Sequence, residues 1–378
     1  MRILLALEPS GGGSGRHVID LASGLAASGH DVTVAWSPDR AEQGFVDALS
    51  ALSGIASQPV PMRRAVGVHD WSSLRALARF VRRHGPYDIL HGHSSKAGAL
   101  VRMLPRSIPG LRVYTPHAFR TLDPGLGRLG RLAYGGIERS LTRTGDRIIA
   151  VSRFEYEHAR ALGFPERDLR LVVNGVTGAR LADRPGGRSR LGLDESEIAV
   201  GFVGRLAPQK DPLRFVDAVM HAHARDRRIR GVVMGDGPLA AQARARADGE
   251  AIRFTGWCDA RPLLPSLDIF AMTSRYEAMP YTLLEAVHAG VPILTTDIGG
   301  AAEAVPDGRN GIVVDLDTDA TGIGDRICEI AADADRRRAM QAEARALRSF
   351  VSAERMVRQT LAVYGWRERE IRSERHAG

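Results

Sequence analysis

The first 36 residues set the pattern of the chain and read MRILLALEPSGGGSGRHVIDLASGLAASGHDVTVAW. Residues 2–7 form a short apolar run that predicts a buried β-strand, and residues 31–36 form a second such run. Residues 16–28 between them have the spacing of an amphipathic helix. Because two neighbouring parallel strands need a crossover of this kind, the stretch predicts a parallel β-α-β unit.

The same alternation continues along most of the chain. Further short apolar runs predict strands at residues 88–91, 112–115, 147–151, 171–173, 198–203, 230–234, 252–255, 268–272, 292–296 and 311–314. Apolar strands with helices between them are typical of a parallel sheet that is covered on both faces. The predicted fold class is therefore α/β, with two Rossmann-like doubly wound parallel-sheet domains.

The order of these runs also predicts where the domains begin and end. Residues 1–174 form the predicted N-terminal domain and residues 196–350 the C-terminal domain. Residues 175–195 are predicted to be a linker, because proline and glycine interrupt the alternation there. Residues 351–378 have the pattern of a long C-terminal helix, which we expect to pack back toward the N-terminal domain.

Composition excludes several classes of protein. The 378 residues contain two cysteines, too few for a disulfide framework or a zinc site. No run of about 18 apolar residues is present, so no transmembrane helix is expected. The apolar stretch at the N-terminus is too short for a secretory signal. These features predict a cytoplasmic protein.

The basic charge is concentrated in the first half of the chain. Residues 1–174 contain 23 Lys+Arg and 15 Asp+Glu, whereas residues 175–378 contain 29 of each. This distribution predicts an anionic partner for the N-terminal domain. Only Lys96 and Lys210 among the 52 basic residues are lysines, which draws attention to the places where they stand.

A loop with two cations follows the first predicted strand of the second domain. It reads Gly204-Arg205-Leu206-Ala207-Pro208-Gln209-Lys210-Asp211. Open α/β sheets bind ligands at the carboxyl ends of their strands, where Arg205 and Lys210 can together neutralise a diphosphate. The alternative is a solvated loop with one Arg–Asp pair.

Two glutamates flank the start of a predicted helix. Pro280 suits a first helical turn, so Glu277 precedes the helix and Glu285 lies within it. A carboxylate inside such a helix can accept hydrogen bonds from a ribose diol, and the helix start can face a phosphate. The alternative is two unrelated surface glutamates.

Glycines and histidines follow neighbouring strands of the first domain. Gly11-Gly12-Gly13-Ser14-Gly15 predicts a ligand-contact loop, although it also fits a tight turn, and its spacing is not that of a nicotinamide site. His91, His93 and Lys96 follow one strand and His117 follows the next. They indicate a crevice, although a lone histidine is more often structural.

These pieces, taken in order, carry a resemblance to a known family. The matching segments include Gly11 to Gly15, His91 to Gly98, Thr115-Pro116-His117, Ala150-Val151-Ser152, Asn174-Gly175-Val176, Gly204-Arg205 with Lys210, Gly235-Asp236-Gly237-Pro238, Gly256-Trp257, Glu277 with Glu285, and Gly299-Gly300-Ala301-Ala302-Glu303. The chain resembles the retaining nucleotide-sugar glycosyltransferases of family four, which have the GT-B fold. The resemblance implies two Rossmann-like domains with a cleft between them, the N-terminal domain binding the acceptor and the C-terminal domain the donor.

The resemblance also implies roles for particular residues. The implied donor-binding residues are Gly12, Gly13, Gly15, Gly204, Arg205, Lys210, Gly235, Trp257, Glu277, Met279, Pro280, Tyr281 and Glu285. The implied acceptor-binding residues are His91, His93, Lys96, His117 and Ser152. The implied catalytic residues are His117, Glu277, Arg205 and Lys210. Ala278-Met279-Pro280 stands where the family often has Gly-Phe-Gly, which leaves the donor sugar open.

The expected reaction is sugar transfer, with retention, from a nucleotide sugar, expected to be a UDP-sugar, to an acceptor hydroxyl. Arg205 and Lys210 would stabilise the departing diphosphate, so neither a metal ion nor another cofactor is expected. The expected acceptor is a polyprenyl-diphosphate-linked sugar of surface polysaccharide or glycan biosynthesis. The basic N-terminal domain is then expected to lie on the inner face of the cytoplasmic membrane.

Other readings of the sequence stay open. A GT-B-type UDP-sugar epimerase and a transferase acting on a soluble small-molecule acceptor are the nearest alternatives. A glycoside hydrolase also uses paired carboxylates but does not need the two cations beside them. Nucleic acid is not an expected partner, because the arginines are scattered along helices without a recognised motif.

Overall fold

The computed structural model describes residues 1–63, 65–123, 125–141, 146–178 and 183–365. They form two compact units. The N-terminal unit contains Met1–Gly175 and the segment that begins at Ala353, and the C-terminal unit contains Val176–Ser352.

The N-terminal unit is built on a seven-stranded parallel sheet. Its strands are β1 (Arg2–Leu7), β2 (Asp31–Trp36), β3 (Ala56–Pro59), β4 (Ile89–His93), β5 (Leu111–Thr115), β6 (Arg147–Ala150) and β7 (Leu169–Leu171). They lie in the order β3-β2-β1-β4-β5-β6-β7, so the direction of winding reverses between β1 and β4. Such a reversal leaves a crevice at the carboxyl ends of the two strands, which is where doubly wound folds bind ligands.

Helices cover both faces of this sheet. They are α1 (Gly12–Ala27), α2 (Gln43–Ser50), α3 (His69–His84), α4 (Ser94–Met103), α5 (Arg128–Leu141) and α6 (Arg153–Ala161). Successive side chains of β1 point to opposite faces, so Ile3, Leu5 and Leu7 pack in one core. Leu4 and Ala6 pack in the core on the other face. A strand that is buried on both faces explains why residues 3–7 are apolar without alternation.

The C-terminal unit repeats the architecture with six parallel strands. These are β8 (Ile198–Val203), β9 (Ile229–Met234), β10 (Ile252–Gly256), β11 (Ile269–Met272), β12 (Ile293–Thr296) and β13 (Gly311–Val314). The order β10-β9-β8-β11-β12-β13 places the reversal between β8 and β11. The helices are α7 (Arg184–Leu191), α8 (Pro212–Arg225), α9 (Ala240–Arg246), α10 (Tyr281–Ala289), α11 (Ala301–Ala304), α12 (Ala320–Ala332) and α13 (Ala334–Ala346).

The last described helix, α14 (Ala353–Val363), belongs to the N-terminal unit. Its Met356, Val357 and Leu361 join the core that contains the odd-numbered residues of β1. Tyr364, directly after the helix, is also buried in that core. Residues 366–378, which the sequence analysis included in the C-terminal helix, lie outside the described residues.

The predicted fold class of two doubly wound parallel sheets is confirmed, but the linker prediction is wrong in part. Residues 175–195 contain α7, whose first turn Asp183 caps by accepting a hydrogen bond from the Gly186 N–H at 3.0 Å. The fully buried Arg188 anchors this helix, because its guanidinium donates to the Asp268 carboxylate at 3.2 Å. A tertiary ion pair therefore stabilises this helix, although proline and glycine have low helix propensity.

Two sheet details also differ from the prediction. Strand β3 was not predicted, because Ala56–Pro59 is exposed at the sheet edge and has no apolar run. The predicted strand at residues 171–173 is wrong by two residues, since β7 covers Leu169–Leu171. In the described part of the chain, no helix has both the length and the apolar character needed to cross a membrane.

Candidate active site

Two loops of the C-terminal unit meet at the point where its sheet reverses direction. The first loop follows β8 and carries Arg205 and Lys210, and the second follows β11 and carries Glu277. The Lys210 Nζ lies 2.6 Å from the Glu277 Oε1, and their side chains are 17% and 13% exposed. The Arg205 side chain is exposed to solvent. The structure thus joins two predicted site residues that are 67 positions apart in an ion pair.

Residues that the sequence analysis missed hold these two loops together. The Thr273 Oγ1 donates to the carbonyl oxygens of Lys210 and Asp211, at 3.1 and 2.9 Å. The Arg275 N–H donates to the Gln209 carbonyl at 2.8 Å, and its Nε donates to the buried Asp211 carboxylate at 3.0 Å. These bonds fix the backbone on which Lys210 stands. Because Thr273 and Arg275 are distant in sequence from the loop that they hold, no local sequence pattern predicts these bonds.

Gly204 and Gly235 allow the loops after β8 and β9 to touch. A Cβ built on Gly235 would lie 2.0 Å from the Gly204 carbonyl oxygen, where no side chain fits. Gly235 also has a φ of 149°, a conformation that side chains rarely adopt. The close approach of the two loops explains why glycine stands at position 235. A contact of Gly204 or Gly235 with a donor stays a prediction.

The loop before α10 presents its backbone at the start of a helix. Pro280 is the N-cap residue in an extended conformation, and no side chain caps the helix. The Met279 and Tyr281 side chains are buried, while Glu285 is half-buried in the second turn. The first N–H groups of a helix favour an anion, so this end of α10 suits a phosphate.

Trp257 stands directly after β10, and 79% of its side chain is exposed. An exposed indole of this size offers a flat surface on which an aromatic base can stack. The structure thus leaves Trp257 available for the implied contact with the donor.

Four histidines of the N-terminal unit form one cluster, in which three rings are buried and His117 is half-buried. His93 ends β4 and His91 precedes it in the same strand, His117 follows β5, and His17 lies on α1. The ring centroids of His91 and His93 are 4.0 Å apart, those of His93 and His117 5.4 Å, and those of His17 and His117 4.5 Å. Burial lowers the pKa of His17 to about 4 and lowers the pKa values of the other three well below the usual 6.5. All four rings are therefore neutral near pH 7.

Hydrogen bonds fix the orientation of these rings. The His93 Nδ1 and the His117 Nε2 share a hydrogen bond of 3.1 Å, and the His17 Nδ1 bonds the Asn174 Oδ1 at 3.0 Å. His91 contacts the Tyr364 hydroxyl at 2.7 Å through Nδ1 and the Thr115 hydroxyl at 2.8 Å through Nε2. Sequence reasoning missed His17 and Tyr364, because helix α1 and the returning C-terminal segment bring them to the cluster.

Two predicted acceptor residues are explained by structural roles. His91 has no exposed surface and both of its ring nitrogens are bonded inside the protein, so a direct acceptor contact is wrong for this structure. Ser152 is also fully buried, and its Oγ accepts the Glu155 N–H at 3.1 Å as the N-cap of α6.

Lys96 is paired within the N-terminal unit. It is 8% exposed, and its ammonium donates to the Asp70 carboxylate and to the Ala65 carbonyl, the latter at 2.9 Å. An acceptor phosphate at Lys96 would therefore have to compete with Asp70 for its charge.

The predicted glycine loop is the first turn of a helix. Gly12 and Gly13 are exposed and begin α1, whereas Gly15 is buried against Phe45. The Gly12 N–H donates to the Glu42 carboxylate at 3.0 Å. The N-terminus of α1 thus binds a carboxylate oxygen, as the positive end of a helix dipole favours.

Three of the histidines also form a set that can hold a metal ion. One ligand atom from each of His17, His93 and His117 lies within 4.8 Å of the others. Neutral imidazoles are the form that binds zinc and similar ions. This set lies in the N-terminal unit, whereas the ion pair of Lys210 and Glu277 lies in the C-terminal unit.

A cavity of about 600 Å³ opens beside this cluster within the N-terminal unit. His117 and Lys96 line it together with apolar side chains from α3, α4 and α5, namely Trp71, Leu100, Met103, Ile137 and Leu141. Charged side chains line it as well, namely Glu8, Arg40, Asp70, Arg120 and Glu138, so the cavity combines an imidazole and charged groups with an apolar wall. A cavity of this kind suits a ligand that has both a polar and an apolar part.

Comparison with known families gives two matches that together span most of the chain. A model described as Glycosyltransferase Family 4 matches residues 11–180, and a model described as Glycosyl transferases group 1 matches residues 197–333. Among curated proteins, the UDP-Gal:alpha-D-GlcNAc-diphosphoundecaprenol alpha-1,3-galactosyltransferase of Escherichia coli is 27% identical over 68% of this chain and 70% of its own length.

Solved structures share the fold. Anabaena Alr3699/HepE, solved in complex with UDP and glucose, has a TM-score of 0.79 and 18% identity over 97% of this chain and 99% of its own. WaaG, a glycosyltransferase involved in lipopolysaccharide biosynthesis, has a TM-score of 0.73 and 19% identity over 96% of this chain and 99% of its own.

Proposed function

Because this chain belongs to the family 4 glycosyltransferases, we propose that it transfers a sugar from a UDP-sugar to an acceptor hydroxyl with retention of configuration. The observation that carries the proposal is the pair of Lys210 and Glu277 at the switch point of the C-terminal sheet, with Arg205 on the same loop as Lys210. The match to the E. coli galactosyltransferase and the likeness to a UDP-bound structure support a UDP-sugar as the donor.

The two cations supply the charge that the reaction needs. When the bond between sugar and phosphate breaks, negative charge builds on the departing diphosphate. Lys210 is held in place by its loop contacts, and Arg205 keeps its guanidinium open to solvent. Preorganised cations stabilise this charge without reorganising during the reaction, so we propose that no metal ion is needed at the diphosphate.

Glu277 positions Lys210 and contacts the sugar in this proposal. Its carboxylate is 2.6 Å from the Lys210 ammonium, and a carboxylate oxygen held in such an ion pair is a poorer nucleophile than a free one. We therefore assign it a hydroxyl of the donor sugar and infer retention without a covalent enzyme intermediate. In this proposal the N-terminus of α10, which no side chain caps, binds a phosphate, Glu285 binds the ribose and Trp257 stacks on the base.

The cavity of the N-terminal unit is the proposed acceptor site. His117 lines it and is neutral near pH 7, so the ring can form a hydrogen bond with an acceptor hydroxyl. Trp71, Met103 and Ile137 give its wall an apolar character that suits a lipid next to a sugar. The acceptor named for the E. coli relative, a diphosphoundecaprenol-linked GlcNAc, has this combination.

The surface of α5 supports an anionic membrane as partner. Leu129 and Leu132 are 83% and 73% exposed, and Arg128 and Arg131 are exposed beside them in the sequence. Helix α3 differs, because its Leu74, Leu77 and Val81 are buried in the core. Exposed leucines with arginines are typical of a helix that lies in the interface of an anionic membrane. We propose that the protein works on the cytoplasmic face of the membrane.

Product analysis tests the proposed reaction. The purified protein is screened for thermal stabilisation by UDP-, GDP- and ADP-sugars, since a ligand at 100 times its Kd stabilises by about 2.7 kcal/mol. The donor that binds is then incubated with a prenyl-diphosphate-linked sugar and with the free sugar. We expect release of UDP in step with modification of the lipid-linked sugar, unchanged by EDTA.

Other outcomes would contradict particular parts of the proposal. Conversion of the donor sugar without an acceptor would indicate an epimerase, and equal use of the free sugar would remove the lipid-linked acceptor. Loss of activity in EDTA that Mg²⁺ or Mn²⁺ restores would overturn the metal-free step. Inversion at the anomeric carbon, measured by NMR of the product, would overturn retention.

A further inference from the structure

The turn that carries His117 has a strained backbone. His117 has a φ of 53° and Ala118 a φ of 79°, so two consecutive residues with side chains adopt the left-handed conformation. This conformation is costly for residues with side chains and persists only where the surroundings hold it. His117 and Ala118 both line the acceptor cavity, whereas Phe119, which follows them, is buried in the core.

One buried carboxylate is bonded to this turn. The Glu155 Oε1 accepts the Ala118 N–H at 2.7 Å, and its Oε2 accepts the Val151 N–H at 2.9 Å. Glu155 lies in the first turn of α6 and is fully buried. Each oxygen thus joins a different segment, one after β5 and one after β6. Bonds from an N–H to a carboxylate are stronger than bonds between neutral groups.

Helix α6 fixes the position of this carboxylate. The Glu155 N–H donates to the Ser152 Oγ at 3.1 Å, so the N-cap locks the first turn from which the side chain extends. Burial also raises the pKa of Glu155 to about 7, which shows that the fold accepts a costly carboxyl at this place. The spacing of Ser152 and Glu155 is that of a capping box, which accounts for the bond from the Val151 N–H but not for the bond from the Ala118 N–H.

We propose that Glu155 is a positioning residue that holds the left-handed turn of His117 and Ala118, and through it the imidazole that faces the acceptor cavity. Its effect on transfer rests on the proposed function, whereas its effect on His117 does not. The backbone of this turn sets where the imidazole points, and in the present conformation the His117 Nε2 lies 3.1 Å from the His93 Nδ1.

The first experiment compares Glu155→Gln with a matched control on the same helix. Glu157 lies two residues after Glu155 on α6, is exposed and pairs with Arg160, and Glu157→Gln is the control. In Glu155→Gln the amide NH₂ opposes a backbone N–H, so one of the two bonds is lost. We expect kcat to fall about 10- to 100-fold, as for a misplaced catalytic group, with the KM for the donor unchanged. Glu157→Gln should match the unmodified protein.

Glycine at position 118 tests the cause of that loss. Glycine adopts a φ of about 79° without the cost that alanine has. Ala118→Gly in the Glu155→Gln background should therefore recover part of kcat, whereas a role of Glu155 in folding alone predicts recovery of stability without kcat. Should Glu155→Gln be too unstable to purify, Glu155→Asp, which withdraws the carboxylate by one methylene, takes its place with the same expectations.

The second readout does not depend on activity. The ¹⁵N and ¹³C signals of the His117 ring, assigned by its loss in His117→Gln, are compared among the same variants by NMR. We expect them to shift in Glu155→Gln and to stay in place in Glu157→Gln. Unchanged His117 signals, or full kcat in folded Glu155→Gln, would overturn the positioning role. An inactive unmodified protein whose His117 signals shift as expected would instead overturn the proposed function.

Discussion

Lys210 shows how a single residue can carry a functional prediction. It is one of two lysines among 52 basic residues, and it stands on the loop after β8. The structure adds a reason for lysine, because a compact ammonium reaches Glu277 at 2.6 Å while the planar guanidinium of Arg205 stays in solvent. The sequence shows the spacing of the two cations, but it does not show that Lys210 pairs with Glu277 of a distant loop.

Removal of either cation should slow the chemical step. Arg205→Ala and Lys210→Ala are each expected to lower kcat about a hundredfold, because loss of one preorganised charge contact costs roughly 3 kcal/mol. Steady-state kinetics and circular dichroism measure activity and folding together. Arg227→Ala, an exposed arginine on the loop before β9, is the control. Turnover near that of the control in both variants would rule out the assignment.

Glu285 should affect binding more than turnover. Its carboxylate stands in the second turn of α10, and a ribose contact is similar in the ground state and the transition state. We expect Glu285→Ala to raise the KM for the donor about tenfold, the value of one bond to a charged group, with kcat nearly unchanged. Glu250→Ala, an exposed glutamate of the same unit, is the control. A fall in kcat at constant KM would assign Glu285 another role.

At the scale of elements, the sequence predicts best where local pattern and burial agree. The predicted bounds of β1, β2, β8 and β13 match the structure, because each is an apolar run ended by polar or glycine residues. Strand β3 was not predicted, because an exposed edge strand needs no apolar residues. Helix α7 was not predicted either, because the residue that stabilises it, Arg188, does so through a distant aspartate. The crevice of His91, His93 and His117 was predicted from neighbouring strand ends, but the contribution of His17 from α1 was not.

Helix α5 should set the affinity for membranes. We expect Leu129→Ser combined with Leu132→Ser to reduce co-sedimentation with anionic vesicles at least tenfold, because both side chains are mostly exposed and lose apolar area in the interface. Leu316→Ser, at a half-exposed leucine of the C-terminal unit, is the control. Equal binding of the unmodified protein to neutral and anionic vesicles at low salt would contradict an electrostatic contribution.

At the scale of the whole molecule, buried ionisable groups link the N-terminal unit to pH. His17, His91, His93 and His117 have lowered pKa values because they are buried, so the unfolded chain binds protons near pH 6.5 that the folded chain refuses. Each group therefore destabilises the fold as pH falls below about 6.5. Glu155 acts in the opposite direction, because its raised pKa lets the folded chain bind a proton that the unfolded chain releases above about 4.5.

Four buried histidines act against one buried carboxyl, and this sets the direction in which the free energy of unfolding changes with pH. Each group contributes about 1.4 kcal/mol per pH unit, so four against one predict that the free energy of unfolding falls between about pH 6.5 and pH 4.5. Urea unfolding at about pH 7.5 and pH 5.5 measures it. Glu155→Gln should lose more stability on acidification than the unmodified protein, because the opposing carboxyl is gone. An equal midpoint at both pH values would contradict the expected loss.

The return of α14 to the N-terminal unit has a consequence for synthesis on the ribosome. Residues 176–352 form their own unit, and the Val176 N–H donates to the Val351 carbonyl at 2.8 Å, so the two ends of that unit lie side by side. The C-terminal unit is in effect an insertion into the other one. It can fold as soon as it emerges, whereas the earlier-made unit must wait for Met356 and Tyr364 to complete its core. The first domain to be translated is thus the last to be finished, and a nascent chain halted near residue 352 leaves His91 without its tyrosine partner.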